Sequence, residues 1–171
     1  MSRYRIVPED STVWIDARSN VHPIHSETNG LEGYVELQMA PDGGLDPEVA
    51  PSGKLRLPVS RLQSGNRMED RELQKRIDAR RYPTIEGDLN EMVATSDGGT
   101  YRVSGDVTFR GVVRHYEDQM TVSAVDGRTI RLAGASRFDI REFGMEPPRV
   151  LILRVEPEVD VRVEILAVKE A

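Results

Sequence analysis

The 171-residue sequence contains no cysteine. This absence excludes disulfides, thiolate nucleophiles and cysteine-based metal sites. No stretch approaches the roughly 20 apolar residues that a membrane-spanning helix needs, and the longest apolar run, Val150–Leu153, has the length of a buried strand. The N-terminal residues lack an apolar run of signal-peptide length. We therefore expect a soluble, cytoplasmic protein.

A large excess of positive charge is also missing. The formal net charge is −6, from 23 basic and 29 acidic residues, whereas a nucleic-acid surface usually needs a basic patch. The arginines alternate with acidic residues, which is typical of solvated, mixed-charge faces. We therefore predict no nucleic-acid partner.

What the chain does have is a repeated two-residue alternation of apolar and polar side chains, which predicts strands with one dry face. In Tyr101–Arg110 the apolar residues share one face and the polar residues share the other, and Gly111 separates this strand from the next. The same pattern predicts strands over Arg3–Val7, Thr12–Ser19, Leu31–Met39, Leu55–Leu62, Thr84–Val93, Thr129–Ile140, Val150–Val155 and Glu158–Val168.

A single helix is predicted over Arg67–Arg81, where Leu73 and Ile77 are spaced four apart and Pro83 prevents continuation. Asn20–Glu27 is interpreted as irregular, and 40–54 as a surface loop. Strands with one apolar face, joined by short hairpins, close most simply on themselves. We therefore predict an all-β fold: a single domain over 1–171, forming an antiparallel up-and-down, lipocalin-like barrel of about eight strands with one inserted helix.

Residues with chemical potential are few. His22 and His25 suggest the start of a metal site, but they lie in a non-helical segment and the third histidine is distant at 115. Asp16, Glu32 and Glu36 lie on predicted wet faces. No nucleophile elbow or phosphate-binding glycine loop is present. We predict no catalytic residue, no metal site and no cofactor.

Five ordered segments resemble the YceI family: Tyr4–Val13, Val59–Asn66, Tyr82–Ile85, Tyr101–Val112 and Phe138–Gly144. The resemblance implies an extended barrel, a helix packed on it, and an apolar tunnel that holds a polyisoprenoid or quinone-like chain.

The inward apolar stripe is compatible either with a packed core or with a lined cavity, and the resemblance favours the cavity. Small residues on the stripe, such as Ala17 and Gly87, agree with a cavity but also with tight bends. The Tyr101 hydroxyl is a candidate for orienting a polar head group. We predict ligand contacts from Val13, Ile15, Ala17, Val35, Leu37, Ile85, Leu89, Tyr101, Val103, Val107, Phe109, Phe138, Val161 and Val163.

The predicted function is binding of a hydrophobic, isoprenoid- or quinone-like lipid for carriage, storage or buffering, by a protein that is not an enzyme and forms a possible homodimer. The alternative is a ligand-free interaction or stress-related barrel. That alternative predicts a filled interior and an exposed apolar patch near Trp14.

Overall fold

The computed structural model describes residues 1–171 and contains eleven strands and one α-helix. In chain order these elements are β1 Ser2–Ile6, β2 Thr12–Ser19, β3 Pro23–Asn29, β4 Glu32–Leu37, β5 Ser52–Pro58, α1 Arg67–Ile77, β6 Thr84–Ala94, β7 Thr100–Phe109, β8 Val112–Ala124, β9 Thr129–Asp139, β10 Arg149–Val150 and β11 Leu153–Lys169. Short 3-10 turns occupy Pro8–Asp10, Val59–Arg61 and Ile140–Phe143.

Eight of the strands form a closed antiparallel barrel. From β1 the hydrogen-bonded order runs through β4, β5, β6, β7, β8, β9 and β11, and the end of β11 returns to β1. The first half of β11 pairs instead with β2, which carries β3 as its hairpin partner. The predicted fold class, an antiparallel barrel of about eight strands with one inserted helix, is confirmed.

One end of the barrel is tightly packed. Its core comes from β1, the end of β4, the start of β7 and β9, and the end of β11. Ile165 is 1% exposed and lies opposite Leu132 of β9, while Leu37 and Ala167 are fully buried. Because the inward positions are close-packed here, this end offers no space for a ligand.

Strands β8 and β9 pair over only part of their length. Their register runs from Met120 opposite Gly134 to Ala124 opposite Ile130. Beyond Met120 the first half of β8 pairs with β7 alone. Side chains rather than backbone hydrogen bonds therefore connect β8 and β9 in the other half of the barrel.

The segment Asn20–Glu27, predicted to be irregular, instead contains most of strand β3. Its inward positions, Ile24, Ser26 and Thr28, include two small polar residues, and this hides the apolar alternation. Their polarity is satisfied locally. The Ser26 hydroxyl donates to the Gln63 carbonyl at 2.5 Å and the Thr28 hydroxyl to the Arg61 carbonyl at 2.6 Å.

Further boundaries differ from prediction. Strand β5 begins at Ser52, inside the predicted 40–54 loop, and ends at Pro58, because a 3-10 turn over Val59–Arg61 replaces the end of the predicted strand Leu55–Leu62. The helix ends at Ile77 rather than Arg81, because Asp78 adopts a left-handed conformation (φ 60°) and its N–H caps the last turn. The predicted strand Val150–Val155 is a tight hairpin instead: β10 turns back at Leu151-Ile152 into β11. These two apolar side chains are exposed, so the interpretation of Val150–Leu153 as a buried strand was wrong.

Candidate ligand cavity

The half of the barrel opposite the packed end contains an apolar cavity of about 350 Å³. Of its 31 lining residues, 23 are hydrophobic. This volume lies at the lower end of the ~300–1,000 Å³ range typical of small-molecule sites. The cavity can therefore accept a slender apolar ligand.

The cavity wall follows from strand register. On the inner face of the β2–β11 pair, Val13 lies opposite Val163, Ile15 opposite Val161 and Ala17 opposite Val159. Alternate residues point to the same face of a sheet, so these pairs form a continuous apolar surface. Strands β3, β5, β6, β7 and β9 complete the wall.

The helix, the β5–α1 connection and the β9–β10 connection line the parts of the cavity that the strands leave uncovered. Leu73 and Ile77 of α1 line the cavity, which accounts for their four-residue spacing. The helix is held to the barrel by the Gln74 side-chain amide, which donates to the Val59 carbonyl at 2.7 Å. In the same last turn of the helix, the Arg110 guanidinium donates to the Ile77 carbonyl at 3.3 Å, and it also donates to the Phe143 carbonyl at 3.2 Å.

Nine of the fourteen predicted ligand contacts line this cavity: Val13, Ile15, Ala17, Ile85, Val107, Phe109, Phe138, Val161 and Val163. Of the other five, Val35, Leu37 and Tyr101 are buried in the packed end, and Leu89 and Val103 pack against that core. The Tyr101 hydroxyl accepts a hydrogen bond from the Leu45 N–H at 2.9 Å. Tyr101 therefore anchors the loop between β4 and β5 at the packed end and does not line the cavity.

Sequence reasoning missed the walls contributed by non-strand segments. Leu62, Phe143, Met145 and Pro148 line the cavity from loops and 3-10 turns, where no periodicity marks an inward position. The helical pair Leu73 and Ile77 carried a usable signal. A four-residue apolar repeat on a lone helix beside a barrel indicates the face that packs on it.

The small inward residues have different roles. Ala17 and Gly87 line the cavity, and a Cβ on Gly87 would meet Leu55 at 3.7 Å and the Asp106 carbonyl oxygen at 4.0 Å, which are ordinary contact distances. At Gly33 (φ 130°) a Cβ would lie 1.9 Å from the Lys54 carbonyl oxygen, and at Gly105 it would lie 2.6 Å from that of Asp88. Gly33 and Gly105 are therefore required by neighbouring backbone, whereas Gly87 leaves space inside the cavity.

Polar groups concentrate at one edge of the cavity, between β3 and the start of α1. Asp70 accepts hydrogen bonds from the Ser64 N–H at 2.8 Å and the Ser64 hydroxyl at 2.7 Å. The Asn66 side chain caps the helix by accepting from the N–H groups of Met68 and Glu69. Nε2 of His22 lies 3.4 Å from a Glu69 carboxylate oxygen. An amphiphile could place its polar end beside this edge and its apolar end in the cavity.

Aromatic side chains fill the space between the unpaired halves of β8 and β9. The Tyr116 ring meets Phe138, which lines the cavity, edge-on at 4.7 Å between centroids. The Tyr116 hydroxyl donates to Glu142 at 3.0 Å. Burial, reinforced by Glu142, strongly raises the pKa of the Tyr116 phenol. Tyr116 therefore remains a neutral donor that holds Phe138 in place.

Each of the three histidines contacts a carboxylate. Nδ1 of His25 lies 2.5 Å from Asp16, and Nδ1 of His115 lies 3.0 Å from Asp106, both on the outer surface. The hydrogen bond to His115 lowers the pKa of the Asp106 carboxyl below its ordinary value. The structure brings together no group of three or more histidine, aspartate or glutamate residues suited to a metal ion.

Comparison with known proteins agrees with this architecture. The family model described as a YceI-like domain matches residues 4–167. The chain belongs to the YceI-like family. No curated protein sequence matches it. The single helix of this YceI-like barrel is neither long nor apolar enough to cross a bilayer.

Several solved structures share the YceI-like fold at low identity. BcnA of Burkholderia cenocepacia superposes with a TM-score of 0.76 at 18% identity, over 94% of this chain and 98% of that one. A polyisoprenoid-binding domain from Saccharophagus degradans, implicated in plant cell wall breakdown, gives 0.77 at 11% identity, over 99% and 100%. A YceI protein of Campylobacter jejuni gives 0.64 at 13%, over 90% and 85%. These likenesses establish the fold.

Proposed function

We propose that this YceI-like protein binds an isoprenoid- or quinone-like lipid in its cavity, for carriage, storage or buffering. The observation that carries the proposal is the apolar cavity itself, with 23 hydrophobic residues in its lining and polar groups gathered at one edge. The polyisoprenoid-binding domain of Saccharophagus degradans has the same fold, which supports this ligand class.

Hydrophobic transfer is sufficient to hold such a ligand. Each buried methylene contributes about 0.8 kcal/mol, so burying about ten carbons contributes about 8 kcal/mol before the costs of association. A carrier needs no reacting group, and the polar side chains at the cavity edge are already engaged with one another. We therefore infer a binding protein rather than an enzyme. The cytoplasmic location and the homodimer stay predictions.

The alternative, a ligand-free interaction barrel, requires a filled interior and an exposed apolar patch near Trp14. The interior contains a cavity. Trp14 is half-buried, with the Arg162 guanidinium 4.3 Å from its ring centroid. Its neighbours in an outer groove include Gln119 and Thr121. These observations favour the lipid-binding proposal.

Calorimetric titration of delipidated protein with farnesol, a three-isoprene alcohol, tests the proposal. Ala17→Phe places a ring inside the cavity, and we expect it to weaken binding by at least about tenfold, the loss from about two displaced methylenes. The matched control is Ala94→Phe at an exposed position near the end of β6. Equal affinity in the wild type and both variants would place any binding outside the cavity and refute the proposal.

A further inference from the structure

Four of the large exposed hydrophobic side chains lie around the same end of the barrel. Leu151 is 87% exposed and Ile152 is 79% exposed in the β10–β11 turn, and Val21 and Met68 are more than half exposed. We call these four residues the apolar rim. Three separate segments contribute to it: the β2–β3 turn, the start of α1 and the β10–β11 turn.

Hydrogen bonds and one histidine–carboxylate contact hold these segments together. The Asn20 side chain donates to the Ile152 carbonyl at 2.8 Å and accepts from the Arg154 N–H at 2.6 Å. His22 contacts Glu69 of α1, next to Met68. The apolar rim is therefore a connected surface.

The β10–β11 turn exposes apolar side chains where turns usually carry small polar ones. Val150 pairs with Leu153, which leaves Leu151 and Ile152 as the two loop residues, and Leu151 has a φ of 56°. Such two-residue loops favour glycine, asparagine and aspartate, because these residues tolerate positive φ. Leu151 adopts this conformation with its side chain in solvent, so neither turn geometry nor folding accounts for a leucine here.

The apolar rim continues into the cavity. Val150 and Leu153, the residues that flank the exposed pair, both line the cavity, as does Pro148. Glu69, which follows Met68, lines it as well. On the side of the β10–β11 turn, an apolar surface therefore runs from Leu151 and Ile152 through Val150 and Leu153 to the cavity wall. The polar edge of the cavity lies on the side of α1.

Basic residues surround the rim. Arg149 and Arg154 face each other across the β10–β11 hairpin, and Arg67 and Arg71 lie at the start of α1. All four are exposed and none takes part in the ion pairs of the structure, which engage other arginines. The exposed acid Glu156 lies farther along β11. Positive charge is therefore local to the hairpin, where Arg149 and Arg154 flank Leu151 and Ile152. At the start of α1, the acids Glu69, Asp70 and Glu72 offset Arg67 and Arg71.

We propose that the apolar rim docks the cavity-containing half of the barrel on an anionic lipid bilayer, so that a lipid passes between the bilayer and the cavity along an apolar path. Apolar side chains flanked by lysine or arginine are the arrangement that binds bilayer interfaces. Four protruding side chains are too few for a stable protein interface, which buries about 800 Å² on each partner. The proposal extends the lipid-binding function, but docking can be measured without any cavity ligand.

Flotation with vesicles of phosphatidylcholine, with and without phosphatidylglycerol, tests the docking. We expect the wild type to bind the anionic vesicles more strongly and to lose binding as salt increases. The double variant L151D/I152D should lose vesicle binding by at least about tenfold, since two apolar side chains no longer enter the interface. Val125→Asp is the control, because Val125 is 53% exposed in the β8–β9 turn at the packed end.

Two readouts separate docking from folding and from ligand binding. The double variant should keep the melting temperature and the farnesol affinity of the wild type, since Leu151 and Ile152 do not line the cavity. Failure of the wild type to bind either vesicle, or undiminished binding by the double variant, would overturn the docking proposal. Self-association through these residues without vesicle binding would also overturn it, by assigning the rim to a protein contact.

Discussion

Replacing isoleucine by alanine at two positions on the inner face distinguishes a hollow end of the barrel from a packed one. Ile165 is 1% exposed and lies in the packed end, whereas Ile15 is half-buried and borders the cavity. Both changes remove the same atoms. They differ in what surrounds those atoms.

The expected magnitudes follow from the contacts that each change removes. At Ile165 a new void opens among close-packed neighbours, so Ile165→Ala should cost about 2–5 kcal/mol of unfolding free energy. The Ile15 side chain already has empty space on one side and lacks partner atoms there. We therefore expect Ile15→Ala to cost about 1–2.5 kcal/mol of unfolding free energy, roughly half of the cost at a packed isoleucine.

Urea unfolding of delipidated protein measures both values. In thermal unfolding, the Ile165→Ala change should lower the melting temperature by about 4–20 °C, and the Ile15→Ala change by about half as much, about 2–10 °C. Farnesol should stabilise the wild type and Ile165→Ala but have less effect on Ile15→Ala, because the ligand contacts that side chain. Equal losses at the two positions would mean that the interior is uniformly packed and holds no cavity beside Ile15.

Three further predictions concern single sites. Asn66→Ala should lower the free energy of unfolding by about 1 kcal/mol in urea, because two N–H groups at the start of α1 lose their acceptor. An unchanged free energy of unfolding would mean that the cap is not formed. Gly33→Ala should lower the free energy of unfolding by at least about 3 kcal/mol, since its Cβ would overlap a backbone oxygen of β5. Gly87→Ala should leave the stability nearly unchanged, because its Cβ would make only ordinary contacts. Similar melting temperatures for the two variants would contradict this difference in space. The hydrogen bond from Arg141 holds the pKa of the Asp139 carboxyl below its ordinary value of 3.8. This contribution is therefore present above pH 3.8 and lost as the pH falls through the lower folded pKa, and Asp139→Asn should reduce the acid dependence of the melting temperature over that range.

The sequence predicted most of the barrel because amphipathic strands carry their own signal. The alternation through Tyr101–Arg110 predicted β7, and the alternation through Glu158–Val168 predicted the later part of β11, which begins at Leu153. One dry face allows only one set of inward residues. Strand β3 escaped detection because Ser26 and Thr28 occupy inward positions, where hydroxyl groups bond to the carbonyls of a neighbouring segment. Such partners lie far away in sequence and leave no local pattern.

The cavity could be predicted only in part. Alternation predicts that both Val35 and Val161 point into the barrel. The packing of the rest of the barrel decides that Val35 lies in the packed end and Val161 in the cavity wall. The turn at Leu151-Ile152 was misread as a buried strand because apolar composition normally indicates burial. Exposure of these residues depends on the pairing of Val150 with Leu153, which composition does not encode.

Occupation of the cavity by a lipid is tested most directly by NMR of methyl-labelled protein titrated with farnesol. We predict that the methyl signals of Ile15, Leu73 and Val161 shift on titration, while those of Ile130 and Ile165 in the packed end stay in place. Shifts confined to the packed end or to the outer groove beside Trp14, or no shifts at saturating farnesol, would contradict the account.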